Sequence, residues 1–164
     1  MAENASPLTR ILDVVESPID AGTNFENKKV KGLFDWWMNA NGGRMPPRKS
    51  FDVVEHKTIV ANLFVVDVLP DSEFRFRLMG EDVIQILGRN CKGESVKRSA
   101  LGEYGHELAA YYQSIVAERA CRRCTGSLVF ATRGLRRFES IDCPLGDDAG
   151  QQVLTIIGVM GRIK

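Results

Sequence analysis

The chain has 164 residues, and its 22 Lys and Arg against 21 Asp and Glu leave a formal charge of +1 with both histidines neutral. A chain of this length fits one domain of ~150 residues and can bury roughly 70% of its unfolded surface, so its core needs no disulfide or metal to hold it. With 44% hydrophobic and 26% charged residues, the composition is that of an ordinary soluble domain. It excludes a multidomain enzyme, a disordered chain, a fibrous repeat and the strongly basic surface of a general nucleic-acid binder.

Residues 1–24 read as an arm, punctuated by Pro7, Pro18 and Gly22, with one short apolar knot at Ile11, Leu12, Val14 and Val15 that suits an extended segment or a short helix. Residues 25–164 then form a single domain. Glu3, Asn4 and Ser6 stand where a secretory leader would carry a basic start and an apolar run, and no stretch approaches the ~18 apolar residues of a membrane span. The expectation is a cytoplasmic protein with no membrane partner, in which Cys91, Cys121, Cys124 and Cys143 stay as thiols.

Val30, Leu33, Phe34, Trp37 and Asn41 recur at helical spacing opposite Lys28, Lys29, Lys31 and Asp35, with Asn24 as N-cap and Gly42-Gly43 as stop. Pro46-Pro47 enforces extended backbone. A short helix over 52–61 precedes a valine-rich buried strand over 63–69, and Pro70-Asp71-Ser72 is turn chemistry. Phe74, Phe76 and Leu78 alternate with Arg75, Arg77 and Met79, the period of a half-buried strand, so the two runs make a hairpin. Residues 80–88 form a short helix with Val83, Ile84 and Leu87 on one side, and a loop bearing Gly and Lys continues to residue 99. Tyr104, Leu108, Tyr111, Tyr112 and Ile115 stripe a surface helix over 103–119. Strands over 124–132, 135–145 and 151–162 complete the chain, with turns at Arg133-Gly134 and 146–150. A hairpin and a three-strand meander separated by helices predict an α+β fold, a five-stranded antiparallel sheet with helices on one face and an N-terminal helix.

No catalytic or metal residue is assigned. His106-Glu107 opens like a zinc-protease helix, but Ala110 occupies the position of the second ligand. His56 stands alone, and neither a Gly-x-Ser-x-Gly elbow nor a phosphate loop occurs. Cys121-x-x-Cys124 lacks the second close pair of a zinc site. On a strand, residues three apart point to opposite faces, although Arg122 and Arg123 would favour a thiolate and leave a redox role open. Six arginines, Arg119, Arg122, Arg123, Arg133, Arg136 and Arg137, would suit phosphates, but Phe130 and Phe138 sit among apolar neighbours where an RNA platform needs exposed aromatics. Glu81-Asp82 complements a helix start, and Asp147-Asp148 belongs to a turn. Glu139 shares a strand face with Ile141 and Cys143; if that face is core, its carboxylate needs an Arg, Tyr or ligand partner.

Several pieces taken in order have a familial pattern: Trp37 followed by Gly43-Arg44-Met45-Pro46-Pro47-Arg48, then Leu63-Phe64-Val65-Val66-Asp67-Val68, then Phe74-Arg75-Phe76-Arg77-Leu78-Met79-Gly80. Leu87-Gly88-Arg89 with Gly93, and Pro144-Leu145 before the last turn, continue it. From about residue 28 to 161 the chain resembles a PAS domain, more narrowly the stand-alone bacterial group called the PAS_5 family. The resemblance implies a five-stranded antiparallel sheet flanked by helices, a cavity between them that can hold a small molecule, and an N-terminal helix that pairs subunits. Such domains sense and interact and seldom catalyse. The cofactor is unknown: no haem-ligand histidine lies in the helical region, and Cys91 after Arg89-Asn90 does not match the motif of flavin-photoadduct members.

The resulting expectation is a cytosolic sensor or adaptor in bacterial signal transduction, serving a separately encoded signalling protein and acting as a homodimer, with nucleic acid disfavoured. Adjacent tryptophans diverge by about 100° on a helix, so Val30, Phe34, Trp36 and Trp37 are the expected subunit interface, and deleting residues up to 41 should separate the subunits. Phe74, Phe76, Leu78, Ile84, Leu87, Glu139 and Ile141 are the expected cavity walls. The alternatives are a small enzyme using Glu139 or His106 as acid or base, and an RNA-binding sheet using the arginines.

Overall fold

The valine- and phenylalanine-rich runs assemble into one antiparallel sheet in the computed structural model, which describes residues 8–20, 22–131 and 134–164. The strands are β1 (Leu8–Pro18), β2 (Leu63–Leu69), β3 (Glu73–Met79), β4 (Arg122–Phe130), β5 (Gly134–Gly146) and β6 (Val153–Ile163). Their order across the sheet is β1-β4-β5-β6-β2-β3. Three α-helices accompany them: α1 (Lys28–Ala40), α2 (Glu81–Leu87) and α3 (Tyr104–Glu118). The β2–β3 hairpin closes through Asp71 and Ser72, both with positive φ (63° and 58°), the twist that two-residue hairpin turns require. Residues 52–61 form two 3-10 turns, Val53–His56 and Val60–Asn62, rather than one helix. Among the described residues no helix is long and apolar enough to cross a membrane.

The α+β architecture agrees with expectation, with one strand more than the five expected. The sixth comes from the arm: β1 pairs antiparallel with β4. Register shifts fall between Leu8 and Arg10 and between Leu12 and Val15, and Asp13 takes φ 53°. These bulges let Leu8, Ile11 and Val14, three residues apart, pack on the same face. A bulge breaks the two-residue period by which strands are recognised, which is why this segment looked as much like a helix as a strand.

Helices cover both faces of the sheet, not one. Along β6, Ile156 and Met160 turn toward α2 and α3, while Val153, Ile157 and Val159 turn toward α1. Alternating side chains that are apolar on both faces leave no side able to face water. The inner face holds Phe74, Phe76, Val83, Leu87, Tyr112 and Ile115; the outer one holds Val30, Leu33, Trp37, Leu63, Ile141 and Leu145. Gly158 permits the sheet to close around Phe64, since a Cβ there would overlap that ring.

The N-cap of α1 is Asn27, three residues later than expected. Its side chain accepts from the backbone N–H of Lys29 at 2.9 Å and of Val30 at 3.2 Å. The helix then buries Val30, Leu33 and Trp37, and the Trp37 indole N–H donates to the Pro144 carbonyl at 2.9 Å.

Candidate functional site

Between α3 and the inner face lies a cavity of about 50 Å³, room for a few waters or a compound of few heavy atoms. One wall is apolar: Phe64, Phe76, Met79, Val83, Leu87 and Leu128. The other is polar, with Tyr104, Tyr111 and Tyr112 from α3 facing Cys124 of β4 and Ser140 and Asp142 of β5. Ile11 of β1 and Leu101 close one end.

Asp142 dominates this wall. It is 2% exposed, and its carboxylate accepts from the Tyr111 hydroxyl at 2.8 Å. Burial pushes its pKa up to about 7; the Tyr111 hydrogen bond opposes that rise and the negative charge of Glu16 adds to it. The carboxyl therefore titrates far closer to neutrality than an ordinary aspartate, and in its protonated form it can donate as well as accept. Burial likewise raises Tyr111 and Tyr112 well above the usual phenol range, and pushes the Cys124 thiol up to about 12. These groups stay neutral, and the one that changes charge is Asp142.

Of the expected cavity residues, Phe76 and Leu87 line this space. Phe74 belongs to the same inner core, with its ring 5.6 Å from that of Tyr112, and Ile84 packs at the margin of that core; neither lines the cavity. Leu78, Glu139 and Ile141 lie on the opposite face. For Leu78 the cause is a register shift opposite Val65 and Val66, a bulge that turns Met79 inward and Leu78 outward. For Glu139 and Ile141 the cause is parity: Phe138, Ser140 and Asp142 point inward, so their odd-numbered neighbours point toward α1. Asp142 and Tyr111 were missed as site residues. The available signal was that Asp142 shares the parity of Phe138, and that Tyr111 belongs to the α3 stripe.

Glu139 is fully buried and fully partnered. One oxygen lies 2.6 Å from the Arg123 guanidinium and accepts from the Glu26 backbone N–H at 3.0 Å; the other accepts from the Asn27 N–H at 2.8 Å. The carboxylate thus ties the first turn of α1 to the sheet, where the helix dipole favours negative charge. His106 is exposed, and His56 stacks on Phe51 at 4.5 Å beside Trp36. Neither meets Glu139 or Asp142 in a shared cleft.

The expected subunit interface divides in two. Val30 and Trp37 are buried against the sheet. Phe34 and Trp36 are half-buried, Phe34 against Phe25 at 5.4 Å and Trp36 edge-on to Phe51 at 5.0 Å. The divergence of the two indoles is as expected, with Trp37 inward and Trp36 outward.

Cys121 and Cys124 face opposite sides of the sheet, in the outer and inner cores respectively, and cannot share a metal or a bond. The arginines do not form one patch. Arg122 pairs with Glu118 at 3.1 Å, Arg123 is spent on Glu139, and Arg136 and Arg137 are exposed at the far end of the sheet. Phe130 and Phe138 are buried, and Arg133 lies outside the described residues.

An antiparallel sheet closed by short helices around a small, partly polar cavity is the architecture of a sensory α+β module. The chain belongs to the PAS_5 family, described as a PAS domain, whose family model matches residues 26–160. A solved structure described as an RNA-binding light-oxygen-voltage receptor shares the fold, with a TM-score of 0.53 at 14% identity over 92% of this chain. The match spans 38% of that receptor's chain. No curated protein matches.

Proposed function

We propose that the chain is a sensory PAS module that holds a small molecule between the sheet and α3 and passes its state to a signalling partner. The observation that carries this reading is Asp142, a buried carboxyl titrating near neutrality with Tyr111 as its hydrogen-bond partner, set in the polar wall of a cavity whose opposite wall is apolar. A buried carboxyl is costly unless something pairs with it, and a ligand bearing one hydrogen-bond donor on a small apolar body supplies what Tyr111 alone does not. Native mass spectrometry of gently purified protein tests this. Wild type should carry an added mass that Asp142→Ala loses, and two spectra that both show bare protein defeat the ligand-sensing part.

Pairing of two copies belongs to the same proposal, through the outer side of α1. Phe34 and Trp36 lie there half-buried, and Val53, Val54 and Val60 of the neighbouring 3-10 turns are 38%, 67% and 38% exposed. Sedimentation of Trp36→Glu against wild type tests it: a dimer that becomes a monomer supports the pairing, and a wild-type monomer removes it. RNA binding by the neighbouring fold is not extended to this chain, because base stacking needs exposed aromatics and Phe130 and Phe138 are buried.

A further inference from the structure

The spacing Cys121-x-x-Cys124 left a redox role open, but the fold sets those two thiols on opposite faces and supplies a different partner. We propose that Cys121 and Cys143 form a reversible intramolecular disulfide on exposure to a hydroperoxide. The β4–β5 ladder pairs Arg122 with Asp142, so Cys121 and Cys143 stand directly opposite one another one step further along. Directly opposed residues of antiparallel strands hold their Cβ atoms about 4.5–5.5 Å apart, at the edge of the span a disulfide needs. The two Sγ atoms are already 2.9 Å apart, less than ~1 Å beyond the bonded separation of about 2.05 Å, and both cysteines are free.

The two thiols are not equivalent. Cys143 is fully buried, whereas Cys121 retains 5% exposure and follows the exposed Arg119 and Ala120, so a small oxidant meets Cys121 first. The Cys121 thiolate attacks the peroxide O–O bond, becoming a sulfenic acid and releasing water or an alcohol. The Cys143 sulfur then displaces the sulfenic hydroxyl as a second water, closing the S–S bond. Two thiols are oxidised, one peroxide is reduced, and both thiol protons leave in the products. Burial holds Cys143 well above the ordinary thiol range, which disfavours it as the thiol that attacks the peroxide; it acts second, once the sulfenic acid stands beside it. Cys91 and Cys124 lie in the inner core, across the sheet, and do not compete. Asp142 is the residue before Cys143, and the Arg122 carbonyl after Cys121 lies 3.4 Å from the Tyr111 hydroxyl. A bond here therefore tightens the ladder at the row bearing the cavity carboxyl.

The native full chain is treated with hydrogen peroxide, alkylated and mapped by mass spectrometry under non-reducing conditions. The expected result is a loss of two hydrogen atoms per chain, a cross-link joining the peptides of Cys121 and Cys143, and a raised melting temperature that dithiothreitol reverses. Cys121→Ala and Cys143→Ala should each abolish the cross-link, while Cys124→Ala keeps it. Because the wild-type map is itself decisive, a variant that fails to fold does not matter. The proposal is overturned by sulfinic or sulfonic acid at Cys121 without a cross-link, by a link to any other cysteine or between chains, or by a link that forms only in denaturant.

Discussion

Two carboxylates on one strand meet opposite fates because they face opposite ways. Glu139 points toward α1, where a guanidinium and two backbone N–H groups compensate its charge. Removing Arg123 leaves that charge buried and unpaired, so Arg123→Ala should cost about 3–5 kcal/mol in urea unfolding. Arg122→Ala, which breaks an ion pair whose glutamate is 48% exposed, should cost no more than ~1 kcal/mol. Equal losses would show that Glu139 is not held by its guanidinium.

Asp142 behaves otherwise, because its folded pKa of about 7 lies above the ordinary 3.8. The folded state binds this proton more tightly than the unfolded chain. The associated stability is fully present below the unfolded pKa and is lost as pH rises through about 7. Asp142→Asn should flatten that decline and unfold at higher urea than wild type at pH 8, by ~1–3 kcal/mol. Tyr111→Phe removes the hydrogen bond that lowers the pKa, so the carboxyl should titrate higher still, as read from its carbonyl carbon by NMR. A parallel pH–stability curve for wild type and Asp142→Asn would mean that the carboxyl is hydrated rather than buried.

Among the elements, α1 and β1 illustrate what periodicity conveys. The apolar stripe Val30, Leu33 and Trp37 is the face that packs, and it was visible at helical spacing. That Trp37 and Val30 face the sheet, and not a second subunit as expected, was decided by the packing of α1. Trp37→Ala should cost ~3–5 kcal/mol, as a fully packed aromatic does. Trp36→Ala, lost from a half-exposed cluster with Phe51 and His56, should cost ~1 kcal/mol. Tryptophan emission should blue-shift for the inner indole and not for the outer. The β1 strand was not visible, because its two bulges replace the two-residue period with steps of three. The bulge at Arg77, opposite Val65 and Val66, hid the outward turn of Leu78 in the same way: one unpaired residue exchanges the faces of everything beyond it.

For the molecule as a whole, the two-faced sheet changes what a truncation means. Deleting residues 1–41 removes Val30, Leu33 and Trp37 from an apolar sheet face lined by Ile141, Leu145, Ile157 and Val159. Such a truncation should lose cooperative unfolding and aggregate, as an uncovered apolar face does, rather than release well-folded monomers. Near-UV circular dichroism and light scattering distinguish the two, and a cooperative, monodisperse fragment would mean that α1 is dispensable to the core. The pairing of copies is better probed by the single substitution at Trp36.

By itself the sequence determined the three helices, the five strands from β2 onward and the family, because these rest on local periodicity, turn residues and the spacing of short motifs. It also settled that Glu139 would need a partner if its face proved to be core, since parity along one strand is a local property. Only the tertiary structure decided that both faces are covered, that Asp142 rather than Glu139 looks into the cavity, and that Cys121 meets Cys143 rather than Cys124. Those outcomes depend on which strands lie side by side and in what register, a relation between residues far apart in the chain.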